Sequence, residues 1–363
     1  MTYGLVHDGV GSPTAPVAEI DERLLCTRIE QVTHDVKSFV LARVDRAGLA
    51  FDPGQYLTVT VETDDGELQR CYTIASPPTR PDLLTITVKR VPDGPVSGWL
   101  HDRFAVGDTL RVRGPYGRFG TARNPAAKYL FLSAGSGITP VMSMTRVLHE
   151  RTEPTDLVFV HSARSPDDII FRGELATIAA RPGIAVTSVC ETGSATERWE
   201  GPTGRLTLRL LLQLAPDLHD REVFSCGPPG YLQAVREILE LAGVDPVRCH
   251  EESFDLGSRR PAPRDPSSPG SGSGSPPHHA VQLRRSGRTI ECRADESILD
   301  AALRAGVRPP SMCREGVCGT CRTTLVAGDV DLQHAGGIRP QQVERGEILL
   351  CCSRPRGDVV VDA

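Results

Sequence analysis

The tightest constraint on this chain is a spacing of cysteines near its end. Cys313, Cys318 and Cys321 lie in the run Ser311-Met312-Cys313-Arg314-Glu315-Gly316-Val317-Cys318-Gly319-Thr320-Cys321, and a fourth thiol follows beyond a strand and a loop, at Cys351 or Cys352. Read as C-x4-C-x2-C with one distant partner, this spacing holds a 2Fe-2S cluster, because each of the two irons takes two thiolates from the protein. One tight loop would wrap three sulfurs around one side while the fourth reaches in from a separate segment. Gly316 and Gly319 suit a backbone that turns sharply beside a metal, since glycine enters positive φ without a steric penalty. A zinc knot or paired disulfides are the competing uses, but zinc sites favour pairs of short Cys spacings.

At 363 residues the chain is too long for one core and predicts two or three domains. Eleven cysteines could frame a secreted disulfide fold, yet the count is odd and the start lacks the basic-then-apolar leader pattern. A reducing compartment, the cytoplasm, is therefore expected. Cys26, Cys71, Cys190, Cys249 and Cys292 are scattered and read as small buried residues. A net charge of -5 gives no nucleic-acid surface, and no apolar run reaches the length of a membrane span.

Composition divides the rest. Residues 1–19 read as an N-terminal extension. Residues 255–280, rich in Pro, Gly and Ser without apolar periodicity, read as a flexible linker. Between them, 20–125 carries short alternating stretches without helices: Leu25 to Gln31, Lys37 to Arg43, Gln55 to Glu62, Leu83 to Arg90 and Thr109 to Arg113. That pattern predicts an antiparallel β-barrel or sandwich. Between two of these strands lies Arg70-Cys71-Tyr72-Thr73-Ile74-Ala75-Ser76-Pro77. Arg70 offers a guanidinium fork for a phosphate, Tyr72 a face for a planar ring, and Thr73 a hydroxyl. Alone, an Arg-x-Tyr triplet is as well explained as strand filler.

The rhythm changes over 126–254. Tyr129 to Leu132, Leu157 to His161, Ala185 to Cys190 and Glu222 to Ser225 read as buried strands. Val141 to Glu150, Ile170 to Ala180, Leu206 to Leu214 and Tyr231 to Ala242 read as helices between and after them. This alternation predicts an α/β unit, a parallel sheet with helices on both faces and ligands at the C-terminal ends of its strands. The first strand enters Ala134-Gly135-Ser136-Gly137-Ile138-Thr139-Pro140, where a helix begins. Glycines let the backbone approach a pyrophosphate, and a helix start supplies N-H donors. A lone G-x-G is equally ordinary turn chemistry. Residues 281–363 give two strands, Val281 to Arg285 and Arg288 to Arg293, and an amphipathic helix, Ser297 to Ala305, with Ile298, Leu299, Ala302 and Leu303 inward. The cysteine loop follows, then strands at Thr323 to Ala327 and Asp358 to Val361, an α+β β-grasp pattern.

Taken together, these stretches resemble the ferredoxin-NADP reductase family fused to a plant-type ferredoxin. The Arg70 segment is similar to that family's R-x-Y-[ST]-x-x-S motif, which implies flavin contacts from Arg70, Cys71, Tyr72, Thr73 and Ser76, with Thr73 at the ring N5. Val88 and Lys89 on the neighbouring strand join them by the same resemblance. Gly94-Pro95-Val96-Ser97-Gly98-Trp99-Leu100 resembles G-x-V-S-x-x-L, which places Val96 and Ser97 at a second phosphate and implies FAD rather than FMN. Gly114-Pro115-Tyr116-Gly117 resembles the turn that closes the flavin domain.

The glycine loop is similar to G-x-G-[IL]-[TA]-P, which implies that Gly135, Gly137, Thr139 and Pro140 hold the pyridine nucleotide. Cys226-Gly227-Pro228 resembles the family's C-G-P, whose Cys sits beside the nicotinamide. His250-Glu251-Glu252-Ser253-Phe254 resembles H-x-E-x-F, with Glu252 and Phe254 near the flavin. The resemblance makes Thr73, Cys226 and Glu252 the residues of the hydride step; on their own, Cys226 and Glu252 read as a core thiol and a surface carboxylate. Arg164 lies where the family reads the ribose; Asp167 and Asp168 beside it would repel a 2'-phosphate, so NADH is expected over NADPH. Leu350-Cys351-Cys352-Ser353-Arg354-Pro355 resembles T-C-Q-S-R-P, which makes Cys351 the fourth cluster ligand and Cys352 a bystander.

In detail the resemblance is closest to reductase components of Rieske-type oxygenases. It implies hydride transfer from NAD(P)H to flavin, then single electrons through the cluster to a separate oxygenase. A desaturase, a cytochrome P450 or a hybrid-cluster protein could stand as acceptor instead. A redox-sensing or binding subunit without turnover is the alternative of another class, and intact flavin and nucleotide motifs argue against it.

Overall fold

A computed structural model describes residues 20–63, 66–194, 198–253, 277–311, 316, 319–334, 338 and 340–363. The expected N-terminal extension, most of the expected linker, Phe254, Cys313 and Cys318 lie outside the described residues.

Six strands build the first unit: β1 (Ile20–Thr33), β2 (Val36–Ala42), β3 (Tyr56–Thr63), β4 (Gly66–Thr73), β5 (Leu84–Lys89) and β6 (Thr109–Tyr116). They are antiparallel in the order β4-β3-β6-β1-β2-β5. A bridge between Ile74 and Ile86 and a bond from Ala75 N-H to Thr85 O at 2.7 Å join the two edges. The sheet thus closes on a core that includes Leu24, Phe39, Leu57, Val59, Ile86 and Val112. Helix α1 (Pro95–Asp102), with proline in its first turn, buries Val96 and Leu100 in the same core. Arg70 to Thr73 were expected in a connection, but they lie on β4, paired residue for residue with β3. This strand is exposed or half-buried over most of its length, so it lacks the alternation that marks a strand in sequence.

The second unit runs β7 (Lys128–Ala134), α2 (Ile138–Glu150), β8 (Asp156–Ala163), α3 (Arg172–Ala179), β9 (Ile184–Cys190), α4 (Leu208–Leu214), β10 (Glu222–Gly227), α5 (Pro229–Leu241) and β11 (Cys249–Ser253). Its strands are all parallel, in the order β11-β10-β7-β8-β9. Phe131, Phe159 and Phe224 pack on one face with residues of α2 and α3. Leu130, Leu132, Val158 and Val160 pack on the other with α4 and α5. Because both faces of β7, β8 and β10 are covered, these strands read as continuous apolar runs. The polar edge strand β11 gave no such signal. The strand order reverses between β7 and β10, so a crevice opens beyond their C-terminal ends.

The third unit comprises β12 (His278–Leu283), β13 (Arg288–Arg293), α6 (Ile298–Arg304), β14 (Arg322–Ala327), β15 (Val330–Leu332), α7 (Pro340–Glu344), β16 (Glu347–Leu349), β17 (Ser353–Pro355) and β18 (Val359–Val361). Its main sheet has the order β13-β12-β18-β14-β16, with β12 and β18 parallel, and β15 pairs with β17. Ser297 caps α6 by accepting the Asp300 N-H at 3.1 Å. The helix buries Ile298, Leu299, Ala301 and Ala302 against Val281, Val359 and Val361, and Leu303 is only half-buried at the margin. A helix laid across a mixed sheet is the expected β-grasp.

Candidate functional site

Pairing with β3 sets Arg70 opposite Val59, Tyr72 opposite Leu57 and Thr73 opposite Tyr56. The Tyr72 hydroxyl and Thr73 Oγ1 are buried and have no hydrogen-bond partner among the described residues. Leaving a buried hydroxyl unsatisfied costs about 1–3 kcal/mol, so both atoms fit a site that a polar ligand completes. Burial also pushes the Tyr72 phenol above its ordinary range, keeping it protonated. Arg70 is half-buried, and its Nη1 donates to Gln69 O at 2.7 Å. Cys71 Sγ lies 3.5 Å from Thr58 Oγ1.

Ser76 Oγ accepts the Thr85 N-H at 3.0 Å, which strengthens the barrel closure. Val88 points into the barrel core, and its carbonyl contacts His101 Nε2 at 2.9 Å. Lys89 pairs with Asp35 at 3.0 Å. Ser97 Oγ accepts the Val91 N-H at 3.1 Å and donates to Gly94 O at 3.2 Å, so it orders the turn before α1, while Val96 lies in the core.

In the second unit, Gly135 to Gly137 form one turn of 3-10 helix that leads directly into α2, with Thr139 and Pro140 buried in its first turn. Thr139 Oγ1 donates to Ser136 O at 3.1 Å. Gly135 has φ +52 and open space where a side chain would stand. Gly137 differs: a Cβ there would lie 2.4 Å from Cys226 O. Its lack of a side chain lets the loop sit on the end of β10. Gly227 in turn faces the Tyr231 ring, 2.8 Å from where its Cβ would be, and Pro228 caps α5. Arg164 is exposed and its carbonyl accepts the Thr192 N-H at 2.8 Å. Asp168 accepts from the Ser165 hydroxyl at 2.7 Å and Asp167 from the Ser194 hydroxyl at 2.9 Å.

Strand register lines up Glu252, Cys226, Ser133, His161 and Ser188, one residue per strand across the parallel sheet. Cys226 and Glu252 are thus neighbours, both buried. Burial, followed by the charge of Glu252, holds the Cys226 thiol well above its ordinary range. Ser133 Oγ lies 2.8 Å from His161 Nδ1, and His161 Nε2 is buried with no partner among the described residues. Burial lowers the His161 pKa to about 3, so the ring stays neutral near pH 7. Sequence reasoning singled out Cys226 and Glu252 but not the Ser133–His161 pair. The only hint was that apolar runs end at both positions, and cross-strand register is invisible in a linear reading.

In the third unit Cys321 and Cys351 are buried side by side, with the Cys351 N-H donating to Cys321 Sγ at 3.4 Å. Leu350 N-H reaches Cys321 O at 3.1 Å, so two separate segments are pinned together at these sulfurs. Gly316 and Gly319 adopt φ +70 and +72, the left-handed backbone expected of a loop around a metal. Cys352 Sγ instead contacts Leu349 O at 3.7 Å, within its own turn. The donor chemistry and the two pinned sulfurs fit an iron–sulfur cluster.

A closed antiparallel barrel, a parallel nucleotide-type sheet and a cysteine-bearing β-grasp unit on one chain define an iron–sulfur flavoprotein reductase. Three family models divide the chain in the same order: oxidoreductase FAD-binding domain over residues 24–120, oxidoreductase NAD-binding domain over 131–237, and 2Fe-2S iron-sulfur cluster binding domain over 281–356. The chain is 42% identical to the glycine betaine monooxygenase reductase subunit of Pseudomonas aeruginosa, covering 93% of this chain and 94% of that one. It is 38% identical to a stachydrine N-demethylase reductase subunit of Rhizobium meliloti, covering 94% and 96%. Among solved structures it resembles phthalate dioxygenase reductase with a TM-score of 0.59 and 26% identity, covering 94% of this chain and 98% of that one. The chain belongs to the family of oxygenase reductase components that carry FAD, NAD and 2Fe-2S domains. No helix among the described residues is long and apolar enough to cross a membrane.

Proposed function

We propose that this reductase takes hydride from NAD(P)H and delivers single electrons to a Rieske-type oxygenase that demethylates a quaternary ammonium compound. The substrate class rests on the two relatives above, whose names specify glycine betaine and stachydrine. Flavin, when bound, accepts electrons as a pair and releases them one at a time, which matches a two-electron donor to a one-electron cluster. The single observation that carries the flavin assignment is the pair of buried, unpartnered hydroxyls on Tyr72 and Thr73. Thr73 would meet the ring edge and Tyr72 its face, while the Arg70 side chain and the main-chain N-H groups of Val96 and Ser97 at the start of α1 would meet phosphates. Gly135, Gly137, Thr139, Gly227 and Pro228 would frame the nucleotide. Cys226, protonated and buried beside Glu252, would line the nicotinamide end and exclude water.

Cys313, Cys318, Cys321 and Cys351 would hold the cluster, with the Cys351 N-H bond to Cys321 Sγ supporting the last two. Thiolates of this kind suit a reducing compartment, and a cytoplasmic site follows from that. NADH is preferred on the two carboxylates beside Arg164, although both accept bonds from serine hydroxyls. The test is an anaerobic titration of purified protein with NADH and NADPH separately. NADH should bleach the flavin and then reduce the cluster at lower concentration than NADPH, and the reduced protein should support turnover of a quaternary ammonium oxygenase. Flavin that bleaches while the cluster stays oxidised would refute the electron path.

A further inference from the structure

Beside the core that the barrel and the parallel sheet share, helix α2 makes a set of polar contacts between them. Helix α2 starts where the glycine loop ends, and three of its residues, spaced about a turn apart, grip the segment that follows β4. Ser143 Oγ donates to Ser76 O at 2.8 Å, and Arg146 Nη1 donates to Ala75 O at 2.5 Å. Glu150 accepts from the Thr79 hydroxyl and the Arg80 guanidinium. Arg146 is itself immobilised. Its Nε and Nη2 fork onto Glu174 at 2.7 and 2.6 Å, and the guanidinium sits 4.8 Å from the Phe171 ring centroid. Phe171 holds a left-handed backbone at φ 61 to present that ring at the start of α3. With its side chain 15% exposed, Arg146 is a shielded, bidentate contact rather than a solvated surface pair.

The peptide it grips is the barrel's closing point. Ala75 N-H bonds Thr85 O across the seam, and Ala75 O bonds Arg146. Two residues upstream stands Thr73, and one turn upstream of Ser143, in the first turn of α2, stands Thr139. The Arg146 guanidinium, flanked by Ser143 and Glu150, therefore ties the segment after the flavin-facing strand to the helix that begins at the nucleotide-facing loop.

Resting on the proposed function, we propose that Arg146 is a positioning residue for hydride transfer. In that step the C-H bond at the nicotinamide C4 breaks and an N-H bond forms at flavin N5; the electron pair travels with the hydrogen, oxidising the nucleotide and reducing the flavin. Such transfer needs reacting atoms about 3–3.5 Å apart, and a displacement of about 1 Å costs on the order of 100-fold in rate.

The experiment uses full-length holoenzyme carrying Arg146→Ala or Arg146→Lys. Flavin content, cluster absorbance and nucleotide affinity should match wild type. Flavin bleaching by NADH in stopped flow should slow about 10- to 100-fold for Arg146→Ala and less for Arg146→Lys, which keeps one donor. The long-wavelength charge-transfer absorbance of reduced flavin with NAD+ should fade in the same order. Amide exchange over residues 74–80, a readout independent of catalysis, should quicken. If Arg146→Ala purifies without flavin, Glu174→Gln, which loosens the fork but keeps the bond to Ala75, serves instead, with a smaller slowing expected. Wild-type bleaching rate and charge-transfer band in a flavin-replete variant would overturn the proposal. Wild-type protein that NADH fails to bleach would refute the reductase path itself, a separate result.

Discussion

Cys351 and Cys352 are adjacent in sequence and differ in burial and in the hydrogen bonds they make. The first is buried against Cys321, and its N-H bonds that sulfur; the second points back at its own turn. N-H bonds to ligand sulfurs stabilise thiolate charge and tune cluster potential. Cys351→Ser is therefore expected to lose or shift the visible absorption of the cluster, while Cys352→Ser keeps it. The opposite pattern would move the ligand to Cys352. At this scale the sequence was informative where spacing decides and silent where it does not. The C-x4-C-x2-C run is specific, yet spacing alone could not separate two neighbouring thiols. Tyr72 and Thr73 were visible as residue types, but their unmet hydroxyls depend on what β3 and the barrel seam pack around them. Conversely Lys89 and Ser97 look available in sequence and are engaged in the fold, by Asp35 and by the Val91–Gly94 turn.

The loop between β7 and α2 separates two uses of glycine. Gly135 needs its left-handed φ and has empty space around it, so Gly135→Ala should cost about 1–2 kcal/mol of backbone strain. Gly137 has an ordinary helical φ of -64, which alanine accepts. Its constraint is contact: the added carbon would meet Cys226 O at 2.4 Å and Gly227 N at 2.6 Å, and both are main-chain atoms of β10. Relieving that clash must push the loop off the strand end, at about 1–3 kcal/mol. Gly137→Ala should weaken NADH binding and lower the melting temperature more than Gly135→Ala does, as calorimetry and fluorescence titration would measure. Equal effects would mean the loop is free of β10. Strands β7, β8 and β10 were legible because burial on both faces writes them as apolar runs. Strands β4 and β11 were not, since an exposed or polar edge strand carries no periodic mark.

At the scale of the whole chain, the barrel and the parallel sheet share a core while the third unit keeps its own. Val36 and Phe119 of the first unit belong to the same buried cluster as Phe131 and Phe159, and Phe119 meets Phe224 edge-on at 5.4 Å. The cluster around Val281, Leu299 and Val359 draws every member from residues 281–361. Packing therefore joins the first two units, and covalent connection through residues 255–280, read from the sequence as a linker, keeps the cysteine unit within reach. A tether as flexible as the Pro-, Gly- and Ser-rich composition of 255–280 predicts would set an effective concentration on the order of mM, far above that of protein in an assay. Flavin-to-cluster electron transfer should accordingly be first order and unchanged when the protein is diluted. Proteolytic nicking within 255–276 should convert it to a second-order reaction whose rate falls with dilution. Should the nicked protein keep the intact rate at every concentration, the third unit must be held by an interface of its own. Linker length would then be irrelevant to electron delivery, and the docking surface would become the element to map.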